Sequence, residues 1–108
     1  VLPQYKNWVE SINERMIDLL QPFRAFAYYH PAQDGSCSIK NVLPAMTGKS
    51  YDDMEIGDGG MASSEYYRIT FTEDNKDKDK VRKYLEEYCG QDTMGMVNIV
   101  NKLYSFTK

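Results

Sequence analysis

Histidine and cysteine are scarce in this sequence. Its 108 residues include one histidine, His30, and two cysteines, Cys37 and Cys89, which lie far apart and form no C-x-x-C pair. These are too few soft ligands for a structural zinc site. Because nothing else points to secretion, we expect both thiols to be free, with a single disulfide as the alternative in an oxidising compartment. We interpret His30, which precedes a proline, as a turn or packing residue.

Long apolar runs and an excess of basic charge are also missing. No run approaches the roughly 18 to 20 residues that cross a bilayer, and residues 1–4 carry no basic, cleavable leader. The 13 Lys and Arg against 16 Asp and Glu give a formal net charge of -3, whereas a surface that coats nucleic acid carries a basic excess. We therefore predict a soluble, cytoplasmic protein that does not contact a membrane.

The composition itself is that of an ordinary globular domain. With 42% hydrophobic and 27% charged residues, the chain should bury a small core rather than remain disordered. Its length suits one domain over residues 1–108 and not two. Since the sequence begins with Val1 and not with methionine, we expect a fragment of a longer protein.

Apolar residues recur at helical spacing in four stretches. They predict helices at residues 3–12, at 39–46 after a Ser36 or Ser38 cap, at 61–69, and at 81–104. The last is either one long helix or two nearly collinear ones that meet at Gly90. Residues 16–20 are too short and apolar for periodicity to decide; we predict a strand there, with one helical turn as the alternative. A second short strand is predicted in the aromatic residues 23–29.

Three short stretches resemble known ligand sites but depart from them. Residues 47–50 end like a phosphate-binding P-loop, but the glycine that such a loop requires falls on Leu43. Four side chains between residues 75 and 86 stand at calcium-loop positions, yet Lys80 replaces the turn glycine. Residues 57–60 resemble an anion-binding helix start, but nearby acids would repel an anion. We interpret the first two as solvated loops or turns and the third as a glycine turn with Asp58 near the start of a helix.

Tyr88 and Asp92 are the strongest candidates for chemistry. They stand four positions apart, which on a helix places the phenol and the carboxylate on one face, about 6 Å apart. This spacing suits a carboxylate that holds a divalent metal beside a phenol that orients a metal-activated water. A core tyrosine next to a surface aspartate is the alternative, because the pattern occurs by chance in many helices.

Several spaced motifs together resemble a bacterial domain family of unknown function. They cover nearly the whole chain and comprise His30-Pro31, residues 35–44, residues 51–56, residues 58–63, and Tyr88-Cys89 with Asp92-Thr93. That family is in turn similar to a divergent branch of the RNase H-like, DnaQ-type (DEDD) exonucleases, which are often joined to a RecB-like nuclease module. In such enzymes four acidic residues hold two metal ions that promote phosphodiester cleavage.

The resemblance implies a fold and a site. The implied fold class is α+β and predominantly α-helical: a partial RNase H-like fold with few short strands and a long C-terminal helix. Asp92 is the implied metal ligand, and Tyr88 is the implied catalytic residue that orients water. The implied cofactor is Mg²⁺ or Mn²⁺ in the intact parent protein, and the implied partners are nucleic acid and an upstream domain of the same chain.

The first two acidic motifs of such exonucleases have no counterpart in this sequence. The chain would then hold one of four metal-binding carboxylates, and a single aspartate binds magnesium weakly. We therefore expect a 3'-5' exonuclease-like parent, with no nuclease activity and no tightly bound metal in these 108 residues alone. The alternative is a non-catalytic helical interaction or scaffold domain, which the nine tyrosines and six methionines favour. In either case we expect self-association.

Overall fold

Helices dominate the structure, a computed structural model that describes residues 2–108. The α-helices are α1 (Lys6–Arg15), α2 (Gln21–Arg24), α3 (Ile39–Thr47), α4 (Gly59–Phe71) and α5 (Lys78–Ser105), with 3₁₀ turns at Pro3–Tyr5 and Pro31–Gln33. No β-strand occurs within residues 2–108. The predominantly helical class is confirmed, but the strands predicted at residues 16–20 and 23–29 are wrong.

Residues 16–20 form a turn where a strand was predicted. The Oδ1 atom of Asp18 accepts a hydrogen bond from the backbone N–H of Leu20 at 2.9 Å, and α2 follows at once with Pro22 in its first turn. An aspartate that binds the backbone two residues further on favours a turn over an extended ladder. The apolar side chains of this segment line a groove, described below, and make no strand pairing.

The aromatic residues 23–29 are also not extended. Phe23 lies in α2 and is buried in the core. Phe26 has a left-handed backbone with φ of 54°, which a β-strand does not accommodate. Tyr28 stacks on Phe106 with ring centroids 5.4 Å apart. Of these aromatic side chains, Phe23 and Tyr28 pack in the core, whereas Phe26 and Tyr29 are exposed. Residues 2–108 contain no part of the sheet that the RNase H-like resemblance implied.

The centre of the fold is the contact between α3 and α5. Leu43 of α3 is completely buried and lies against Gly95 of α5, where an added Cβ would stand 3.0 Å from Leu43 Cδ2. Glycine at this position lets the two helices approach closely. Pro44 lies inside α3, and the helix continues past it to Thr47.

Capping residues begin α3 and α4: Ser38, one of the two predicted caps of α3, and Asp58, which was predicted near a helix start. The hydroxyl of Ser38 accepts a hydrogen bond from the N–H of Lys40 at the start of α3. Asp58 Oδ1 accepts one from the N–H of Met61 at 2.8 Å at the start of α4. Each cap satisfies an N–H that has no partner inside the helix.

The long helix α5 is the element against which α3 and α4 pack. It runs unbroken through Gly90, so the predicted single long helix is confirmed. Arg68 of α4 binds the turn before α5 through Asp77, at 3.0 Å, and binds Glu65 on its own helix at 2.7 Å. None of the helices in residues 2–108 combines the length and apolar character needed to cross a bilayer.

Helix α1 stands apart from this core. It packs against no other α-helix of the described chain, and the turn Pro3–Tyr5 that leads into it is the one helical element there that it contacts. It buries none of its side chains, and Trp8 is 64% exposed. The radius of gyration is 17.4 Å, against about 13 Å for a compact chain of this length. Part of the chain therefore folds without adding to the core.

Asn98 on α5 provides a test of the core. Its Nδ2 atom is buried and has no hydrogen-bond partner among the residues that the structure describes. We expect Asn98→Leu to raise the free energy of unfolding by about 1 kcal/mol more than Asn101→Leu does, because an unsatisfied buried donor is removed. Asn101 is exposed on the same helix, so the control matches the gain in helix propensity. Urea unfolding measures the free energy of unfolding of both variants. Equal effects of the two substitutions would contradict a buried, unpaired Nδ2 atom at Asn98.

The Asp58 cap provides a test by pH. The hydrogen bond from the Met61 N–H lowers the pKa of the Asp58 carboxyl below its usual value. A lowered folded-state pKa stabilises the fold above the unfolded pKa, and this contribution is lost as pH falls through the folded value. We expect Asp58→Asn, which caps without titrating, to lose less stability than wild type between about pH 5 and pH 2.

Urea unfolding across that pH range measures the effect. Asp58→Ala serves as the comparison, because it removes both the cap and the titration and should lower stability at neutral pH as well. An acid sensitivity of Asp58→Asn equal to that of wild type would contradict the cap.

Candidate functional site

Helix α5 carries both predicted site residues on one face. Tyr88 and Asp92 lie one turn apart, and both are partly buried. Burial raises the pKa of the Tyr88 phenol, and the Asp92 carboxylate nearby adds to the rise. The predicted pairing of phenol and carboxylate on one helix face is therefore present.

A second tyrosine reaches Asp92 from the loop after α3. Gly48 ends α3 with a φ of 74°, and the loop that follows returns along α5. Tyr51 is buried there, and its hydroxyl donates a hydrogen bond of 2.6 Å to Asp92 Oδ1. The Nε2 atom of Gln91 donates to the Ser50 carbonyl at 3.3 Å and holds the same loop.

The two phenols keep their protons at neutral pH. Burial raises the pKa of Tyr51, and its hydrogen bond to the Asp92 carboxylate raises it further. Burial also raises the pKa of Tyr88, and the negative charge of Asp92 adds to the rise. The rings lie 5.9 Å apart at 53°. Neither phenol can act as a general base near neutral pH, and Tyr51 acts as a donor that fixes the Asp92 side chain.

Asp92 also lines an open groove of about 790 Å³. We name this the apolar groove; its walls include Met16, Leu19, Phe23, Ile39, Met96 and Ile99. Asp18 and Asp92 are the charged residues among its lining, and Cys37 also lies on its wall. The groove therefore offers a mostly apolar surface with two carboxylates among its lining residues.

The residues present do not fit a metal ion by themselves. No group of three or more His, Cys, Asp or Glu side chains within residues 2–108 is arranged to hold one. Divalent magnesium is bound by carboxylates together with waters and substrate phosphates that converge on it. Asp92, already bonded to Tyr51 through one oxygen, does not make such a site within this part of the chain.

The weaker sequence patterns are explained by local structure. Residues 47–50 end α3, so they do not begin a helix as a P-loop does. Asp77, one of the calcium-loop positions, is paired with Arg68, which lowers its carboxyl pKa. Asp58 is a helix cap, and His30 Nδ1 accepts the Ala32 N–H at the turn Pro31–Gln33. Cys37 and Cys89 are free thiols, as predicted.

Tyr51 and Asp18 are the site residues that sequence reasoning missed. Tyr51 is 41 positions from Asp92, and no periodicity links residues that far apart. Asp18 was predicted to lie in a strand, so the sequence did not indicate that it lines the groove. Turn chemistry around Asp18 and Pro22 was the signal that could have corrected the strand.

Comparison with known proteins gives one partial match. The model of a domain of unknown function, DUF2779, matches residues 1–38. The chain matches no curated protein and no solved structure. The matched segment supports an uncharacterised domain family and includes α1 and Asp18, whereas Tyr51, Tyr88 and Asp92 lie outside it.

Proposed function

We propose that residues 1–108 act as a non-catalytic helical interaction module. The observation that carries the proposal is α1, an amphipathic helix that buries none of its side chains and packs against no other helix of the described chain. A helix gains most of its stability from packing its apolar face. An uncovered apolar face together with an open apolar groove is typical of a protein that binds another chain.

The chemistry near Asp92 supports the same conclusion. The two phenols are protonated at neutral pH, since burial and the carboxylate raise the pKa of each. The Asp92 carboxylate is held by Tyr51, an arrangement that stabilises the loop against α5. The packing of the loop after α3 on α5 therefore accounts for these side chains.

The proposal is tested by a cleavage assay on these 108 residues. We expect no Mn²⁺-dependent cleavage of 5'-labelled single-stranded DNA or RNA beyond that of the Asp92→Ala variant. Cleavage by wild type that Asp92→Ala abolishes, with helix content retained, would overturn the non-catalytic assignment. Asn101→Ala, an exposed change on the same helix, is the control for general loss of structure.

A second candidate is the edge of a metal-dependent 3'-5' exonuclease-like site in a longer protein. Its specific support is that Tyr88 and Asp92 share a face of α5 and that Asp92 reaches the same groove as Asp18. Further carboxylates and the Mg²⁺ or Mn²⁺ ion would have to come from outside these residues. Nucleic acid would then be the partner, reached through the longer protein.

This candidate is tested in a protein that contains this sequence and an upstream acidic motif. Loss of Mn²⁺-dependent cleavage in Asp92→Asn, with Tyr51→Phe retaining activity, would support a metal-ligand role for Asp92. Equal activity in wild type and Asp92→Asn, or none in either, would contradict it. Tyr51→Phe separates the role of the carboxylate from that of the hydrogen bond that holds it.

A further inference from the structure

We propose that α1 of one copy of this chain docks into the apolar groove of a second copy, and that α1 of the second copy docks into the groove of the first. The inference rests on the proposed function and names the partner of that module. Exchange of an identical element between two copies closes a two-fold dimer at low cost, because each chain supplies both the helix and the groove.

The helix and the groove match in chemistry. The apolar face of α1 and the turn before it presents Tyr5, Trp8, Val9 and Ile12, at the spacing of one helix face. Trp8 and Tyr5 are more than half exposed, and Val9 is 44% exposed. An amphipathic helix lays such a face into a groove through side chains at these spacings. The walls of the groove are mostly apolar.

The charges of α1 and of the apolar groove also match. Arg15 follows Trp8 by seven positions and so borders the apolar face of α1. The groove carries Asp18 and Asp92, and none of the described residues that line it is basic. Arg15 can therefore face a carboxylate of the groove, which makes the two surfaces complementary in charge.

The exposed area of the chain is large enough for such an interface. The accessible surface is 8262 Å², whereas a compact monomer of this mass exposes about 6200 Å². The excess of roughly 2000 Å² exceeds the ~800 Å² per partner that a standard interface buries. The chain therefore exposes the surface that a stable dimer would cover.

The connection between α1 and the groove favours exchange over self-docking. Helix α1 ends at Arg15, and the backbone of the next residue, Met16, is extended with φ of -76° and ψ of 123°. Residues 16–20 themselves form a wall of the groove. For α1 to enter its own groove, the chain would have to reverse at that wall with no free linker. A second copy needs no reversal.

Disulfide cross-linking between two different chains tests the inference. The first chain carries Val9→Cys with Cys37→Ser and Cys89→Ser; the second keeps Cys37 and carries Cys89→Ser. We expect the mixture, with oxidised glutathione as the oxidant, to form a disulfide between the two chains, because Cys37 lies on the groove wall. Asn7→Cys in place of Val9→Cys is the matched control on the opposite face of α1 and should react far less.

The other outcomes overturn the inference in distinguishable ways. One such outcome is an internal disulfide in a single monomeric chain that carries Val9→Cys and Cys89→Ser and keeps Cys37. It would show that α1 docks into its own groove. The dimer would then be wrong, while the proposed interaction module would still stand. Equal cross-linking by Val9→Cys and Asn7→Cys would contradict the docking of the apolar face of α1 into any groove. Failure of the proposed function shows separately, as cleavage that depends on Asp92.

A second variant guards against misfolding. We expect Trp8→Lys to weaken dimerisation by at least about tenfold. The thermal unfolding of the dilute monomer should not change, because Trp8 is 64% exposed and α1 packs against no other helix of the described chain. Unchanged sedimentation behaviour of Trp8→Lys would overturn the inference.

Discussion

Replacement of Leu43 by alanine is expected to lower the free energy of unfolding by about 3–5 kcal/mol. Leu43 is completely buried where α3 packs on α5. Gly95 faces it with no side chain, so no flexible neighbour on that side can fill the space that the lost methyl groups leave. The cost should therefore combine lost burial with a cavity that closes poorly.

Urea unfolding followed by circular dichroism measures this effect. Leu2→Ala is the matched control, because Leu2 is 61% exposed, and it should change stability by less than about 0.5 kcal/mol. If Leu43→Ala fails to fold, Leu43→Met, which nearly conserves volume, should cost less than about 1.5 kcal/mol. A Leu43→Ala effect as small as that of Leu2→Ala would contradict the packing of α3 on α5.

Loss of the Asp92 carboxylate in Asp92→Ala is expected to cost about 2–3 kcal/mol. The buried Tyr51 hydroxyl would lose its acceptor, since its hydrogen bond of 2.6 Å goes to Asp92 Oδ1. A hydrogen bond to a charged group contributes about 1.5–3 kcal/mol, and an unpaired buried hydroxyl adds a desolvation cost. Tyr51→Phe removes the donor without a cavity and should cost less.

A double-mutant cycle separates the bond from the other effects of each change. Tyr51→Phe combined with Asp92→Ala should cost less than the sum of the two single variants by about 1 kcal/mol or more. Additive costs would show that the two side chains do not interact. Tyr88→Phe provides the comparison on the same helix face, and we expect weaker coupling to Asp92 there.

The sequence predicted most of the helices because the signals for them are local. Periodic apolar residues and the caps at Ser38 and Asp58 act within one helix, so α3, α4 and α5 lie close to their predicted ranges. The strands at residues 16–20 and 23–29 failed because short apolar and aromatic segments pack equally well in turns. Asp18 and Phe26 favour turns there, through a side-chain hydrogen bond and a left-handed backbone.

The site was predicted only where it depends on helical spacing. Tyr88 and Asp92 share a face because they are four residues apart, which the sequence states directly. The position of Tyr51 depends on the path of the loop after Gly48, and that path is set by packing between segments distant in sequence. The exposure of α1 also could not be predicted, because its apolar face alone suggests burial.

The emission of Trp8 across a range of chain concentrations tests most directly whether α1 docks into the groove of a second copy. Trp8 is the one tryptophan of the sequence, so its emission reports on α1 alone. The account predicts emission typical of an exposed indole in dilute solution, with a shift to shorter wavelength as the concentration and the sedimenting mass rise together. Emission at the exposed wavelength at every concentration, from a chain that stays monomeric, would contradict it.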